Sequence, residues 1–434
     1  MTTLWCEYAW LPGGVAAAVR VEIGDGRLVS LVPGSPRAGT VLNGLTMPGF
    51  ANGHSHAFHR ALRGRTHHER GTFWTWRDRM YALAERLDPD SYRRLARAVF
   101  AEMTLAGYTS VGEFHYVHHA PGGKRYTDPN AMGQALAAAA DEAGIRLTVL
   151  DTCYLTGGFD RAPEDRQRRF ADADAAAWAE RVSSFAPDGE HVRVGAAVHS
   201  VRAVPAAQLP VVAGWAGERP LHVHLSEQRA ENTGCLVRYG RTPATLLAEA
   251  GVLGEHTVAV HATHLTRGDI GLLARSGTRV CVCPTTERDL GDGIGPARAL
   301  ADARVRLCLG SDSHAVIDPL EEARALELDD RLATQARGRF SAAELLAAAT
   351  DHGAIGWDEA GALAPGRAAD LVVVSLTSRR TAGVEPEGAI FAATAADVTD
   401  VLIAGRWVVR DRAHQRVERP ESALAEEVEA LWHS

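Results

Sequence analysis

Eight short apolar, β-branched runs recur through the middle of this 434-residue chain: 45–52 (LTMPGFAN), 109–114, 146–154, 192–200, 221–227, 257–264, 278–285 and 306–314. Helix-like stretches lie between them. Residues 88–108 open with Asp88-Pro89, a helix-start signal, and end at Gly107; 130–145, 205–217 and 243–251 read the same way, and a further helix is expected at 341–350. Strands alternating with helices imply a parallel sheet, and eight such units imply a closed (β/α)8 barrel. An open doubly wound sheet is the alternative, but no G-x-G-x-x-G follows the first run. The expected class is therefore α/β, a TIM-type barrel over residues 47–361. The flanks differ: 15–34 and 368–412 are β-rich with Gly and Asp turns, which predicts a small β-sandwich domain formed by both chain ends, 1–46 and 362–434.

Charge narrows the partners. A net charge of -8 leaves no basic excess to release counterions, which argues against nucleic acid and anionic membranes. An anionic ligand would have to be met by a few local arginines. The start, MTTLWCEYAWLPGG, lacks a basic region followed by an apolar core, and no apolar run approaches the roughly 20 residues of a membrane helix. The six cysteines include no C-x-x-C pair. Cys281 and Cys283 would face one side of a strand and could chelate, but buried thiols in a reducing compartment is the favoured reading. A cytoplasmic protein is expected.

In such a barrel, chemistry sits at the carboxyl ends of the strands, and the unusual polar residues fall there. The first run supplies His54 and His56. The second supplies Glu113, His115 and Tyr116, the fourth His199, and the fifth His222, His224 and Glu227. The sixth supplies His261 and His264, and the eighth Asp312 and His314. A lone histidine is usually structural; this many at six strand ends is not. Residues i and i+2 on a strand project to one face, so His54 and His56 can both grip one ion. With His224 and Asp312 they make an N3O set suited to Zn2+, with a position left for water.

H-x-H at the first strand, H-x-x-E at the fifth, His at the sixth and S-D at the eighth resemble the amidohydrolase superfamily, in particular its mononuclear deaminase branch. The middle run VRVGAAVHS contains neither the bridging Lys nor the Glu of the binuclear enzymes. HSHAFHRALRG, FWTWRDRMY, AGYTSVGEFHYVHH, AVHSVRAV, HVHLSEQ, VHATH, LGDGIGPA and GSDSH are, more closely, similar to the formimidoylglutamate deiminases, over nearly the whole chain. That resemblance implies hydrolysis of N-formimidoyl-L-glutamate to N-formyl-L-glutamate and ammonia. It implies one metal per chain, Zn2+ with Fe2+ as the alternative, held by His54, His56, His224 and Asp312. Its catalytic residues would be Glu227, His261 and Asp312. Substrate contacts would be His59, Arg77, Tyr116, His199 and Arg202. One position departs from the family pattern, which carries Gln where this chain has His59.

The chemistry follows from what each group can do. A bound zinc brings a water's pKa to about 7, so hydroxide can attack the formimidoyl carbon. Asp312 can take the water's proton, Glu227 can protonate the departing imino nitrogen, and His261 can donate to developing charge. Glu227 also reads as a partner of a metal-binding His, and His261 as a fourth nitrogen ligand or a packed ring. Arg202 can grip a carboxylate bidentately. His59 is expected to overhang the pocket, become cationic near neutral pH and aid carboxylate binding. His67-His68 and His118-His119 are expected in a lid or on the surface, and His264 and His314 in structural roles. The expected partner is a small dicarboxylate, without nucleic acid or membrane, and the chain is expected to form a homodimer. The competing reading is another deaminase of the branch, acting on a purine, a pyrimidine or a related amidine.

Overall fold

The computed structural model describes residues 1–66 and 73–433. Eight parallel strands form the barrel in sequence order: Phe50–Ser55, Tyr108–His115, Arg146–Cys153, Val192–Val198, Leu221–Leu225, Thr257–His261, Arg279–Val282 and Leu307–Leu309. We number them one to eight. A parallel bridge between Ser55 and Asp312 joins the first strand to the chain leaving the eighth. The seam is reinforced by Asn52, whose amide donates to Ser311 Oγ (2.7 Å) while its carbonyl accepts from Ser311 N (3.0 Å).

Helices cover the strands where the sequence starts and stops them. Pro89–Leu105 begins at Asp88, whose side chain accepts from Ser91 N in a reciprocal capping box, so two otherwise orphaned N–H groups are satisfied. Ala131–Ala143 ends at Gly144, left-handed at φ 75°, where a side chain would be strained. Thr242 caps Pro243–Glu249, and Ser341 with Glu344 caps Ala342–Ala349.

The two chain ends build one continuous eight-stranded ladder. Its order is Ala413–His414, Arg406–Arg410, Val398–Ile403, Leu371–Val374, Thr40–Pro48, Thr2–Leu11, Gly14–Gly24 and Arg27–Val32. The sheet curls until Arg27, at one edge, bridges Ala368 just ahead of the central strand Leu371–Val374. The curl encloses a separate apolar core containing Leu4, Val19, Val21, Leu42, Leu371 and Leu402. The final helix, Pro420–His433, lies against barrel helix Pro89–Leu105, with an Arg94–Glu427 ion pair at 2.8 Å and Trp432 donating to Ala61 O at 2.9 Å.

The expected run 45–52 is really two elements. Thr40–Pro48 belongs to the outer sheet, and barrel strand one starts at Phe50. Gly49 separates them because a Cβ there would stand 2.3 Å from Thr109 Cγ2. Among the described residues no helix is long and apolar enough to cross a membrane.

Candidate active site

Strand one ends in His54-Ser55-His56, and a buried carboxylate fixes the turn that follows. Glu113 of strand two accepts from Ser55 Oγ at 2.5 Å and from Ala57 N at 2.6 Å. Burial pushes its carboxyl up to about 8, against the pull of these bonds. His314 continues the brace, with Nε2 3.2 Å from Ser55 Oγ and Nδ1 2.9 Å from Ser311 Oγ. His54 and His56 are thus held from behind by a polar chain that crosses the barrel seam.

Their Nε2 atoms stand 3.2 Å apart, and that of His224 lies 3.1 Å from His54 Nε2. Asp312 Oδ1 lies 3.4 Å from His54 Nε2 and 3.3 Å from His56 Nε2. His56 Nδ1 donates to Phe114 O at 3.0 Å and His224 Nδ1 to His199 O at 2.9 Å, which turns both Nε2 lone pairs inward. The bare Nε2 lone pairs of His56 and His224 thus converge with the Asp312 carboxylate and the His54 ring, a crowding of acceptors that a cation relieves. Tetrahedral donors about 2.0–2.1 Å from an ion are separated by about 3.3 Å. The four donors, all buried, fit a divalent metal.

Backbone strain collects at the same rim. Ser226, His261, Ala262, Asp312 and His314 all take positive φ, between 43° and 67°. Held left-handed without glycine, these positions point to a surrounding structure that dictates where the side chains aim.

Beside the four donors, His261 Nε2 lies 4.0 Å from Glu227 Oε1 and 3.8 Å from Asp312 Oδ2. Its Nδ1 lies 3.3 Å from Glu287 Oε1, which also accepts from Cys283 N at 2.9 Å. Burial alone would lower the ring's pKa, but Glu227, Glu287 and Asp312 carry it up to about 10. Burial raises Glu227, with His261 and Arg202 pulling the other way. Burial also opposes ionisation of Asp312, yet His54 and His261 hold it well below the usual carboxylate range.

A cavity open to solvent begins at these groups, and Tyr116, His199, Arg202, Arg77 and His59 line it. The structure therefore brings the expected site residues around one space, with His54 immediately behind. Glu231 accepts from Arg202 Nε at 2.8 Å and from Ser226 N at 3.0 Å, tying the guanidinium to the turn that carries Glu227. Arg77 stands in helix Phe73–Ala84 with its guanidinium 5.5 Å from the Tyr81 ring centre.

His59 differs from its expectation. Its Nε2 bonds Tyr116 Oη at 2.8 Å, its ring packs 4.5 Å from that of His56 and 5.1 Å from that of Trp76, and it is 3 % exposed. Burial pushes its pKa down to about 3, so the ring is neutral rather than cationic near pH 7. His118 and His119 are buried instead of lying on a lid. His118 Nε2 donates to Thr152 O at 2.8 Å, and His119 Nε2 lies 3.4 Å from Asp172. Arg181 occupies both oxygens of Asp151, at 2.9 Å each, so the nearby cluster of His115, His118 and Asp151 is part of an ion-pair network. His67 and His68 lie outside the described residues. His222 Nε2 bonds Ala354 O at 3.0 Å, beneath the site.

Several contributors carried no signal in the sequence. Glu287 in the first turn of helix Pro284–Leu290 reads as a simple partner of the helix dipole. Gln167 donates to Tyr81 Oη at 3.0 Å and Tyr154 Oη at 2.8 Å, forming a polar corner of the cavity from three distant segments.

The model of the Amidohydrolase family matches residues 45–408. The chain belongs to that family. It is 37% identical to a formimidoylglutamate deiminase from Pseudomonas aeruginosa, over 98% of both chains. The crystal structure of an amidohydrolase from Brucella melitensis superimposes with a TM-score of 0.90 at 30% identity, covering 100% of both chains. An adenosine deaminase from Xanthomonas campestris, solved with bound zinc, gives a TM-score of 0.84 at 24% identity, over 100% of this chain and 98% of that one. The chain is a hydrolase of the amidohydrolase superfamily, in its deaminase group.

Proposed function

We propose that the chain hydrolyses N-formimidoyl-L-glutamate to N-formyl-L-glutamate and ammonia, as a step of histidine degradation in the cytoplasm, with one Zn2+ held by His54, His56, His224 and Asp312. The zinc in the Xanthomonas structure and the 37% identity to the Pseudomonas deiminase support this reading. The observation that carries it is Arg202: a guanidinium anchored by Glu231 at 2.8 Å, in the same cavity as the three-histidine, one-aspartate cluster. A cation at that place suits a substrate carboxylate remote from the reacting carbon.

When bound, the metal supplies Lewis-acid chemistry and brings a water's pKa to about 7. Water adds to the formimidoyl carbon, the C–N bond to the imino nitrogen breaks, and ammonia leaves. Asp312, held ionised, receives the water's proton. Glu227, raised by burial, carries a proton to the imino nitrogen at Oε. His261 donates from Nε2 to the charge that builds on the attacked centre, its ring fixed by Glu287 at Nδ1. Tyr116, His199 and Arg77 line the space for the rest of the substrate.

The cavity's aromatic lining (Trp76, Tyr81, Tyr116, Tyr154, Phe170) would also suit a purine or pyrimidine. Arg202 favours the dicarboxylate. The deciding test is ammonia release from N-formimidoyl-L-glutamate, N-formimidoyl-L-aspartate, guanine, cytosine and adenosine. The proposal expects the glutamate derivative to be turned over with the highest kcat/KM; preference for a nucleobase or nucleoside would replace it with the second reading.

A further inference from the structure

Asp312 turns its two carboxylate oxygens to different partners. Oδ1 faces His54 and His56, whereas Oδ2 faces His261 Nε2 at 3.8 Å. On that second side the Cys283 thiol completes another buried triad: the donor atoms of His261, Cys283 and Asp312 all lie within 4.8 Å of one another. We propose that these three residues form a second, weaker cation site for thiophilic divalent ions such as Zn2+ and Cd2+, and that filling it stops catalysis.

The local fold prepares two of the donors together. Cys283 directly follows strand seven and precedes helix Pro284–Leu290. Glu287, one turn into that helix, accepts from Cys283 N at 2.9 Å and faces His261 Nδ1 at 3.3 Å. One carboxylate thus fixes the backbone that carries the thiol and the far side of the ring that carries Nε2. Cys281, which shares the strand face with Cys283, hydrogen-bonds the Cys283 thiol and is paired in register with Cys308, and the Cys281 and Cys308 thiols lie by Gly53 in the barrel interior.

The donor set decides the ion. One thiolate, one imidazole and one carboxylate oxygen suit Zn2+ and Cd2+, whereas Mg2+ and Ca2+ prefer all-oxygen surroundings. Binding expels the thiol proton and any proton on the His261 ring to solvent. The site should be the weaker of the two. It offers three protein donors where the first offers four, these must draw closer together, and the shared Asp312 would stand between two dications. Occupation uses His261 Nε2, which faces Glu227 Oε1 at 4.0 Å, and so removes that ring from the reaction.

The inhibitory half of this inference rests on the deaminase reading of the cavity; the binding half does not. The experiment uses protein stripped with a chelator and reloaded with one equivalent of Zn2+, then titrated with Cd2+. Calorimetry should record a second equivalent, and an ultraviolet thiolate-to-Cd2+ charge-transfer band should grow with it. Cys283→Ser should remove the band and weaken the second equivalent at least about tenfold, the scale of losing one contributor to a metal site, while keeping the first equivalent. Cys281→Ala should keep both. X-ray absorption at the cadmium edge of the wild type should show a sulfur in the shell, a readout that needs no variant to fold. No second equivalent, a shell of nitrogen and oxygen alone, or a band that survives Cys283→Ser would overturn the site. In parallel, the second equivalent should suppress ammonia release in the wild type and leave Cys283→Ser less inhibited. A band without inhibition would confine the inference to binding and overturn its inhibitory half. Failure of every substrate to release ammonia would instead strike the proposed reaction and leave the site standing.

Discussion

The Glu287 carboxylate stands 3.3 Å from Nδ1 of His261, on the side of the ring away from Asp312 and Glu227. It orients an imidazole whose other nitrogen faces the reacting space. In Glu287→Gln the amide oxygen can still accept from Cys283 N, but the charge beside His261 is gone. We expect kcat to fall about 10–100-fold, as for other partners that position a site histidine, with metal content and melting temperature near wild type. An equal loss of metal and of thermal stability would mean that Glu287 only supports the fold.

Arg202 is fixed by Glu231 and lines the cavity. If it holds a carboxylate remote from the reacting carbon, its interaction is shared by ground and transition states. Arg202→Met should therefore raise KM for N-formimidoyl-L-glutamate by about 10²-fold and lower kcat much less, a charged hydrogen bond being worth roughly 1.5–3 kcal/mol. Steady-state kinetics decide, and an unchanged KM removes Arg202 from the binding site.

His59 is neutral, its pKa pushed down to about 3 by burial, and a cation at the neighbouring donors would lower it further. Gln can replace its bond to the Tyr116 hydroxyl. His59→Gln should remain active, and its KM should follow the same pH dependence as the wild type between pH 6 and 8. A variant profile flatter than the wild-type one would show that the ring does acquire charge when substrate binds.

The barrel was legible because each strand is a short apolar run bounded by helix caps, and the metal donors because i, i+2 spacing and strand ends carry geometry directly. What escaped was whatever depends on neighbours distant in sequence. Pro48-Gly49 interrupts an apolar run that reads as one strand, and only the approach of Thr109 shows why. Glu287, Glu231 and Gln167 act across gaps that no local pattern spans. The charge of His59 was misjudged because its titration is set by rings packed around it, not by its exit from a strand. His118 looked like a loop residue for the same reason.

His118 also governs behaviour in acid. Burial, aided by Arg181, pushes its pKa down to about 4; burial does the same to His414 (about 4) and lowers His352. Below about pH 6.5 the unfolded chain binds protons that these native rings refuse, so stability falls as pH drops from 6.5 toward 4 and is flat in this respect above 6.5. His118 alone should cost about 2 kcal/mol at pH 5. In paired melts of chelator-treated protein, His118→Gln should lose less stability than the wild type between pH 7.5 and pH 5, a comparison that cancels metal loss and the opposite gain of Glu113, raised to about 8 by burial. An equal drop in variant and wild type would contradict a buried neutral His118 ring.

Asp312 N bonds His54 O at 3.0 Å and His56 N bonds Asp312 O at 3.1 Å, so the backbone contacts that shut the barrel are the ones that bring the donors together. The seam partners Asn52 and Ser311 are 259 positions apart. A ribosome must therefore complete nearly three-quarters of the polypeptide before the first two histidines meet their aspartate. Until then the nascent chain can present only fragments of a chelator. Capture by the full donor set is thereby postponed to the moment of closure, and a truncated product lacking the eighth strand keeps three histidines but never gains the aspartate that completes them.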